Sequence, residues 1–248
     1  MEWRDQGLVL SARKHGETAA IASLLTPVQG RHLGLVRGGQ SRRRQGVLQP
    51  GNLVDAVWRA RLEEHLGTFT VEGIHDFSVV VLDDPLRLKG LMSVLALLDA
   101  GLAEREPHEA IFCATLGLLR ELEGAPEVSL NDGVFQWIAT YALWELKLLE
   151  CLGFGLDLSA CAATGTRENL VFVSPKSGRA VSRDAGAPYR EKLLPLPKFF
   201  IDPKVEPNQA GLAAGLTLTG HFLQGHHFGA GGRIMPMARN RFIDAVVK

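Results

Sequence analysis

The fold is decided by the stretch Leu35-Val36-Arg37-Gly38-Gly39-Gln40-Ser41-Arg42-Arg43-Arg44-Gln45-Gly46. An apolar run with the composition of a strand enters this segment, two glycines interrupt it, and three consecutive arginines follow. The chain then returns to an alternating apolar and polar pattern at residues 53–59. Between Val28 and Asn52 there is no Asp or Glu. A cationic loop between two strands of a small β module is suited to binding a polyanion.

Five segments around that loop have the pattern of β-strands. A turn at residues 27–30 separates the second from the third, with Pro early in the turn and Gly at its end. The composition of the second segment is also compatible with a helix. Five short strands with a long connection after the third predict a small closed barrel, since closure removes the unpaired sheet edges. The predicted strands are Gln6–Arg13, Ala19–Thr26, Arg31–Arg37, Leu53–Arg61 and Thr68–Ile74.

From Asp84 onward the spacing of apolar residues changes to that of helices. Asp84 and Pro85 form a helix start, with a carboxylate at the N-cap and proline at the first helical position. Residues 153–186 are punctuated by Gly, Ser, Thr and Pro, and predict a β-hairpin with strands at Leu170–Val173 and Arg179–Val181. The predicted helices span residues 84–104, 107–124, 130–151 and 209–228, and a last amphipathic segment ends at 248.

The sequence therefore predicts an α+β protein with more than one domain. A five-stranded barrel domain is expected at residues 1–80 and a helical domain at 81–248, with the hairpin inserted at about 153–186. Three cysteines in 248 residues do not form a disulfide framework, which favours a reducing compartment. The N-terminus lacks the basic and apolar regions of a signal peptide, and no stretch reaches the ~20 apolar residues of a membrane span. We expect a soluble, cytoplasmic protein.

The formal net charge of zero hides a segregation of charge along the chain. Residues 1–62 hold ten Lys/Arg against four Asp/Glu, whereas residues 83–182 hold eight against fourteen. Residues 183–248 are again mildly basic, with nine against five. A basic barrel and a mildly basic tail favour binding of a polyanion at the two ends of the chain.

An arginine triplet taken alone is as compatible with a solvated surface loop as with a binding site. In this chain Arg31, Arg37, Arg59 and Arg61 are expected to cluster in the same module without compensating acids. That balance favours nucleic-acid binding, because Lys and Arg neutralise phosphates without reading the base sequence.

Aromatic side chains are scarce in the same module. Barrels that bind single strands usually add aromatic platforms on which bases stack. The first 75 residues offer only Trp3, Trp58 and Phe69, and the position of Trp58 also suits the core. The sequence thus favours binding of the nucleic-acid backbone over base stacking.

Metal and catalytic sites are not indicated. A zinc ribbon would need four ligands in two close pairs, and Cys161-Ala162-Ala163-Thr164 supplies one thiol only. His221 and His226 stand five residues apart, which is poor spacing for one helix face. No phosphate-binding loop and no set of nucleophile, base and orienting residue is present. We therefore expect no metal, no cofactor and no catalytic residue.

Taken together, these segments resemble the RecO family of bacterial recombination and repair mediators. The order of barrel, helical domain and small hairpin agrees over most of the chain. The similarity is most specific in the first 60 residues, and it continues in two later segments. It rests on Gly7-Leu8-Val9-Leu10, Gly16-Glu17-Thr18, Leu24-Leu25-Thr26, Gly30-Arg31, Val36-Arg37-Gly38, Ser41-Arg42, Leu48-Gln49-Pro50, Leu152-Gly153-Phe154-Gly155-Leu156-Asp157-Leu158 and Ser174-Pro175-Lys176-Ser177-Gly178.

The resemblance implies a non-enzymatic, nucleoid-associated mediator with an N-terminal OB-fold and a helical C-terminal domain carrying a degenerate zinc-ribbon-like hairpin. It implies binding of single- and double-stranded DNA, annealing of complementary strands and, with RecR, loading of RecA onto DNA coated with single-stranded-DNA-binding protein. The acidic, apolar C-terminal tail of that coating protein is an expected partner, and Arg105 or Arg120 could supply a cation for it. The implied DNA contacts are Arg31, Arg37, Arg42, Arg43 and Arg44.

Two departures from the family pattern bear on these expectations. Many relatives carry four zinc cysteines where this chain keeps only Cys161, so a structural zinc is not expected. A basic Lys-Ser segment common near the family's C-terminus stands here as Ala238-Arg239-Asn240-Arg241, whose role stays open. The alternative functions are a protein-interaction scaffold whose barrel docks an acidic protein surface without binding DNA, and an enzyme that uses Cys161 or the C-terminal histidines.

Overall fold

A computed structural model of the chain describes residues 1–124, 133–229 and 232–247. The chain divides into two compact units, one formed by Met1–Glu123 with Pro236–Phe242 and the other by Gly124–Met235 with Ile243–Lys248. The domain boundary at residue 80 stays a prediction, and the first unit adds residues 81–123 to the barrel. None of the described helices is long and apolar enough to cross a membrane.

The N-terminal barrel of five strands is confirmed. Its strands close in the order β1-β2-β3-β5-β4, and β1 pairs antiparallel with both β2 and β4. β3 and β5 pair in parallel. A five-stranded barrel with these connections is an OB fold. The strands are β1 (Glu2–His15), β2 (Ala19–Thr26), β3 (Gly30–Val36), β4 (Asn52–Arg59) and β5 (Thr68–Asp76).

The first strand is longer than predicted because it pairs with two neighbouring strands, one along each part of its length. Its first part pairs with β4 and its second part with β2, and Leu8 belongs to both ladders. A β-bulge between Val9 and Ser11 interrupts the pairing with β2, and bulges bend a strand where a barrel turns. Residues 2–6 are polar or half-buried, so they carry no apolar signal that would predict the early start.

The barrel core is filled by aromatic rings that face two glycines, one in β3 and one just before β5. Trp58 is 1% exposed, and Phe69 is also buried. A Cβ at Gly34 would lie 2.3 Å from the Phe69 ring, and a Cβ at Gly67 would lie 2.4 Å from the Trp58 indole. Gly67 also has a φ of +64°, which side chains other than glycine disfavour. These two glycines are required because ring volume occupies the space that their side chains would need.

The arginine triplet forms a helix, and the prediction of a loop at this place is wrong. Residues Arg42–Val47 make α1, whose N-cap is Ser41. The backbone bond from the amide of Gln45 to the carbonyl of Ser41 measures 2.9 Å, and the Ser41 hydroxyl accepts from the amide of Arg44 at 3.4 Å. A serine cap satisfies amides that a helix start leaves unpaired. The helical turn also carries Leu48 into the barrel core.

Three helices follow the barrel within the first unit, namely α2 (Phe77–Val80), α3 (Pro85–Gly101) and α4 (Glu109–Gly124). The predicted cap of α3 is confirmed, since Asp84 Oδ1 accepts from the amides of Leu86 and Arg87 at 2.9 and 3.1 Å. Asp99 of α3 accepts from the hydroxyls of Ser11 and Ser23 at 2.9 and 2.6 Å. These bonds fix α3 on the outer face of β1 and β2.

The second unit contains α5 (Gly133–Cys151), α6 (Arg183–Gly186), α7 (Gln209–Phe222) and a π-helical turn at Leu223–Phe228. The start of α5 predicted at Leu130 lies outside the described residues. Glu145 of α5 is fully buried and accepts from the hydroxyls of Tyr141 and Thr219, the latter on α7. A last helix, α8 (Met237–Val247), ends the described chain.

The predicted hairpin is confirmed and belongs to a three-stranded sheet. Its strands are β6 (Leu170–Val173) and β7 (Ala180–Ser182), and a short β8 (Leu194–Pro195) pairs with the other side of β6. β8 was not predicted, because its two residues lie in a proline-rich connection that resembles a loop. The sheet order is β7-β6-β8.

Candidate nucleic-acid interface

The segment between β3 and β4 is held against one end of the barrel. The amide of Gln40 donates to the carbonyl of Thr18 at 3.0 Å, in the turn that joins β1 to β2. Gly39 permits this approach, because a Cβ there would lie 2.7 Å from the Cβ of Ala20. Asn52 holds the far end of α1, since its Nδ2 donates to the carbonyl of Gly46 at 2.9 Å. The short helix that carries the arginines is therefore seated beside the β1–β2 turn.

The three arginines of α1 do not face the same surroundings. Arg42 and Arg43 are exposed, whereas Arg44 is half-buried. A terminal nitrogen of Arg44 donates to the carbonyl of Val71 in β5 at 2.7 Å. Because a guanidinium has five donors, Arg44 keeps charge and hydrogen-bonding capacity while it ties α1 to the barrel. Arg42 and Arg43 are the members of the triplet that present their charge to solvent.

Strand register brings further cations to the same end of the barrel. Lys14 of β1 pairs with Ala20 of β2, which pairs in turn with Val36 of β3. Lys14 and Arg37, the residue after Val36, therefore lie at one end of neighbouring strands. We call the exposed basic side chains at this end of the barrel the cationic rim, and its members are Arg13, Lys14, Arg37, Arg42 and Arg43. Within the described residues, no carboxylate forms an ion pair with any member of the cationic rim.

Arg31 has a different environment. Its side chain is 15% exposed and lies near Asp99 and Glu104, at N–O distances of 3.6 and 3.5 Å. Its Nε donates to the carbonyl of Leu102 at 2.9 Å. Charge-assisted bonds of this kind are stronger than neutral ones. Arg31 therefore joins β3 to the end of α3, and it stands apart from the cationic rim.

Other barrel arginines also have acidic partners. Arg59 donates to Glu2 at 2.8 Å, and this hydrogen bond lowers the pKa of Glu2. Arg4 donates to Asp55 at 2.6 Å. The expectation that Arg31 and Arg59 have no compensating acids is therefore wrong. The acids are Glu2 at the start of β1, Asp99 in α3 and Glu104 just after α3, and all three are remote in sequence from the arginines that they pair with.

The aromatic side chains of the barrel point away from solvent. Trp58 and Phe69 belong to the core, and the half-buried Trp3 stacks on Trp58 with ring centroids 5.9 Å apart. The Trp58 indole N–H donates to the carbonyl of Leu66 at 3.0 Å. All of residues 1–80 are described, and none of their Trp or Phe rings is exposed. This surface therefore offers charge and polar groups to a ligand, and no stacking platform.

His32 is a buried histidine that the sequence did not single out. It is 4% exposed, and its ring lies 4.7 Å from the ring of Trp58 and 5.1 Å from that of Trp3. Among the described residues neither of its ring nitrogens has a hydrogen-bond partner. Burial, with a smaller contribution from the charge of Arg105, lowers the pKa of His32 to about 4, against a weaker opposing effect of the nearby Gln29 backbone, which lies outside hydrogen-bond geometry. The imidazole is therefore neutral near pH 7 and acts as a core side chain.

The hairpin region does not fit a zinc ion. The thiol of Cys161 is buried, and its Sγ accepts from the amide of Ser182 at 3.2 Å. Burial by itself raises the pKa of this thiol, and hydrogen bonds from Ser182, Thr164 and the Ala163 amide outweigh that effect and lower the pKa to about 6. Across residues 1–124, 133–229 and 232–247, no group of three or more His, Cys, Asp or Glu is arranged to hold a metal.

Comparisons with known proteins agree with the architecture. The family model for the N-terminal part of recombination protein O matches residues 1–77, and the model for its C-terminal part matches residues 82–230. The chain belongs to the RecO family. A protein of Rhodospirillum centenum described as DNA repair protein RecO is 51% identical over 98% of this chain and 94% of its own length. Proteins with the same description from Rhodospirillum rubrum and Mesorhizobium japonicum are 46% and 47% identical, over 98% and 100% of this chain and 96% and 94% of their own lengths.

Two cations of the rim were missed by reasoning from the sequence. Arg13 and Lys14 lie at the end of β1, just before the turn that joins it to β2. OB folds bind oligonucleotides through the face of strands 2 and 3 and through the loops after strands 1 and 4. That rule, applied to the two basic residues before Gly16, could have identified both positions.

Proposed function

We propose that this chain is a non-enzymatic, DNA-binding mediator of DNA repair and recombination. The observation that carries the proposal is the cationic rim, five exposed basic side chains without ion-pair partners among the described residues. The rim lies beside the loop after strand 1 of an OB fold, a position at which such folds bind oligonucleotides. The relatives' description as DNA repair proteins supports the same role.

The rim binds phosphates of single- and double-stranded DNA. Each phosphate that a Lys or Arg neutralises releases a counterion, so affinity falls with salt at a log–log slope of about −0.7 per contact for single strands. Charge without stacking gives affinity that depends little on base sequence. Two complementary strands held in this way are brought together for annealing. With RecR, the chain then promotes loading of RecA onto DNA coated with single-stranded-DNA-binding protein.

A salt titration of DNA affinity tests this role. The double variant Arg42→Ala/Arg43→Ala removes two exposed cations from a helix whose cap and tether involve Ser41 and Arg44. We expect it to bind single-stranded DNA more weakly and to flatten the log–log slope by about 1.4, which is two contacts at about 0.7 each. Strand annealing slows in parallel.

The matched control is Arg59→Ala, which removes an exposed arginine of the same barrel that is already paired with Glu2. It should leave the slope unchanged. If the double variant keeps the affinity and slope of the wild type, the cationic rim is not the DNA site. If the wild type does not bind DNA near physiological salt, the alternative of a protein-interaction scaffold replaces the proposal.

A groove in the second unit has the chemistry expected for an acidic and apolar partner tail. It has a volume of about 530 Å³ and combines apolar walls from Phe172, Leu193 and Pro195 with the exposed cations Arg183 and Arg190. Neither cation has an ion-pair partner within the described residues. We assign the C-terminal tail of single-stranded-DNA-binding protein to this groove.

The two arginines predicted for that tail lie in the first unit. Arg105 is half-buried, and a terminal nitrogen donates to the carbonyl of His65 at 2.9 Å, whereas Arg120 is exposed on α4.

The double variant Arg183→Ala/Arg190→Ala should weaken binding of a tail peptide to the groove in a fluorescence anisotropy titration. The control Arg179→Ala removes an arginine of the same sheet that already pairs with Asp157. Equal binding by the double variant and the control would place the tail elsewhere.

A further inference from the structure

A small cleft lies between the end of β1 and helix α1, next to the cationic rim. Its volume is about 250 Å³, below the ~300–1,000 Å³ of sites that hold drug-sized ligands. Arg13 and Lys14 line it from β1, and Gln40, Gln45 and Gln49 line it from the segment around α1. None of its lining residues is acidic or aromatic. Its size and lining suit one small polar group.

The amides of the cleft are partly fixed in place. Gln40 donates from Nε2 to the carbonyl of Ala19 at 3.3 Å, and its Oε1 accepts from Nε2 of Gln45 at 3.4 Å. These two contacts orient both amides without using all of their donors and acceptors, because each amide has two N–H groups and two acceptor lone pairs. Gln49 is exposed and adds a further amide.

The chemistry of the cleft favours a nucleobase over a phosphate as its occupant. A phosphate alone could accept from the two cations and the amide N–H groups of the cleft, but it would leave the amide oxygens without a donor, whereas the edge of a nucleobase presents donors and acceptors side by side. A glutamine amide matches that edge because it also presents both. Arg13 and Lys14 then stand where the phosphate attached to the base would lie. Gly39, whose side chain would collide with Ala20, leaves room beside the amides.

We propose that this cleft takes one unstacked nucleobase of a single strand, held at its edge by the amides of Gln45 and Gln49, while Arg13 and Lys14 bind the adjacent phosphate. The inference rests on the proposed DNA binding and deepens it. The rim supplies affinity for any phosphate backbone, and the cleft distinguishes a strand with free base edges from a duplex, whose Watson–Crick edges are already paired.

The test compares oligothymidine with an abasic strand of the same length, which carries the same phosphates and no bases. The wild type should bind oligothymidine about fivefold more tightly, as expected for one or two net hydrogen bonds. The double variant Gln45→Ala/Gln49→Ala should lose this preference and keep the salt slope of the wild type, because it retains every cation of the rim. Gln6→Ala, an exposed glutamine elsewhere on β1, is the matched control and should keep the preference.

The outcomes separate the two proposals. The base cleft is overturned if the wild type binds both strands equally, or if the glutamine variant keeps the preference for oligothymidine. Either result leaves the proposed phosphate binding by the cationic rim intact. Failure of the wild type to bind either strand overturns both proposals. Circular dichroism and a thermal melt of each variant check its fold. The single variant Gln49→Ala removes an exposed amide that makes no side-chain hydrogen bond within residues 1–124, 133–229 and 232–247, and it covers the case in which the double variant is unstable.

Discussion

Buried His32 makes the stability of the barrel depend on pH in a direction that can be worked out. Its pKa is lowered from 6.5 to about 4 in the folded protein, so between these values the unfolded chain binds a proton that the folded chain does not. The stability that the folded barrel has with His32 neutral is fully present above pH 6.5 and is lost as the pH falls towards 4. At pH 5 the free energy of unfolding is lower by about 2 kcal/mol. This follows because pH 5 lies about 1.5 units below the pKa of the unfolded chain, and each unit corresponds to about 1.36 kcal/mol.

The perturbation that isolates this effect is His32→Phe. A phenyl ring suits the surrounding rings of Trp3, Trp58 and Phe69, and it removes two polar nitrogens that have no hydrogen-bond partner among the described residues. We expect the variant to be at least as stable as the wild type at pH 7.5, because unpaired buried polar atoms are costly. Between pH 7.5 and pH 5, the wild type should lose about 2 kcal/mol more than the variant.

Chemical denaturation followed by tryptophan fluorescence measures the difference, because two of the four tryptophans, Trp3 and Trp58, lie in the barrel. His15→Gln is the control, since it changes an exposed histidine of the same barrel. If the wild type and His32→Phe lose the same free energy of unfolding between the two pH values, His32 does not titrate as burial requires.

Three further predictions follow from single residues. Arg31→Ala should lower the free energy of unfolding by roughly 2 kcal/mol, because it removes the hydrogen bond to the Leu102 carbonyl and the ion pairs with Asp99 and Glu104. It should leave the salt slope of DNA binding unchanged, and a flattened slope would place Arg31 on the DNA path. Gly67→Ala should cost about 2 kcal/mol or more, from the strained φ and the collision with Trp58, and an unchanged melting temperature would contradict this. Iodoacetamide should label exposed Cys113 in the folded chain and buried Cys161 only after denaturation, because accessibility limits the reaction even where the thiol pKa is low. Mass spectrometry of the labelled peptides shows which cysteine reacts first.

Local features of the fold were predictable because neighbouring residues encode them. The Asp84-Pro85 start of α3 and the strands of the hairpin need only a cap or a short apolar run, and both are found where the sequence indicates them. The arginine triplet was misread as a loop because the signals for α1 are weak. A six-residue helix offers one serine cap, and the two glycines before it are the stronger local signal.

The sequence by itself determined that this chain has a basic OB-fold barrel and an apolar helical part, because alternation, helical spacing and charge are read from nearby residues. Only the tertiary structure decided which cations are available to a ligand. Arg31 lies in the same basic segment as Arg42, yet the carbonyl that its Nε binds stands 71 residues further along the chain. Conversely, Lys14 joins Arg37 only because two strand registers bring them to one end of the barrel. Charge pairing depends on distance in space, and folding sets that distance without regard to separation along the chain.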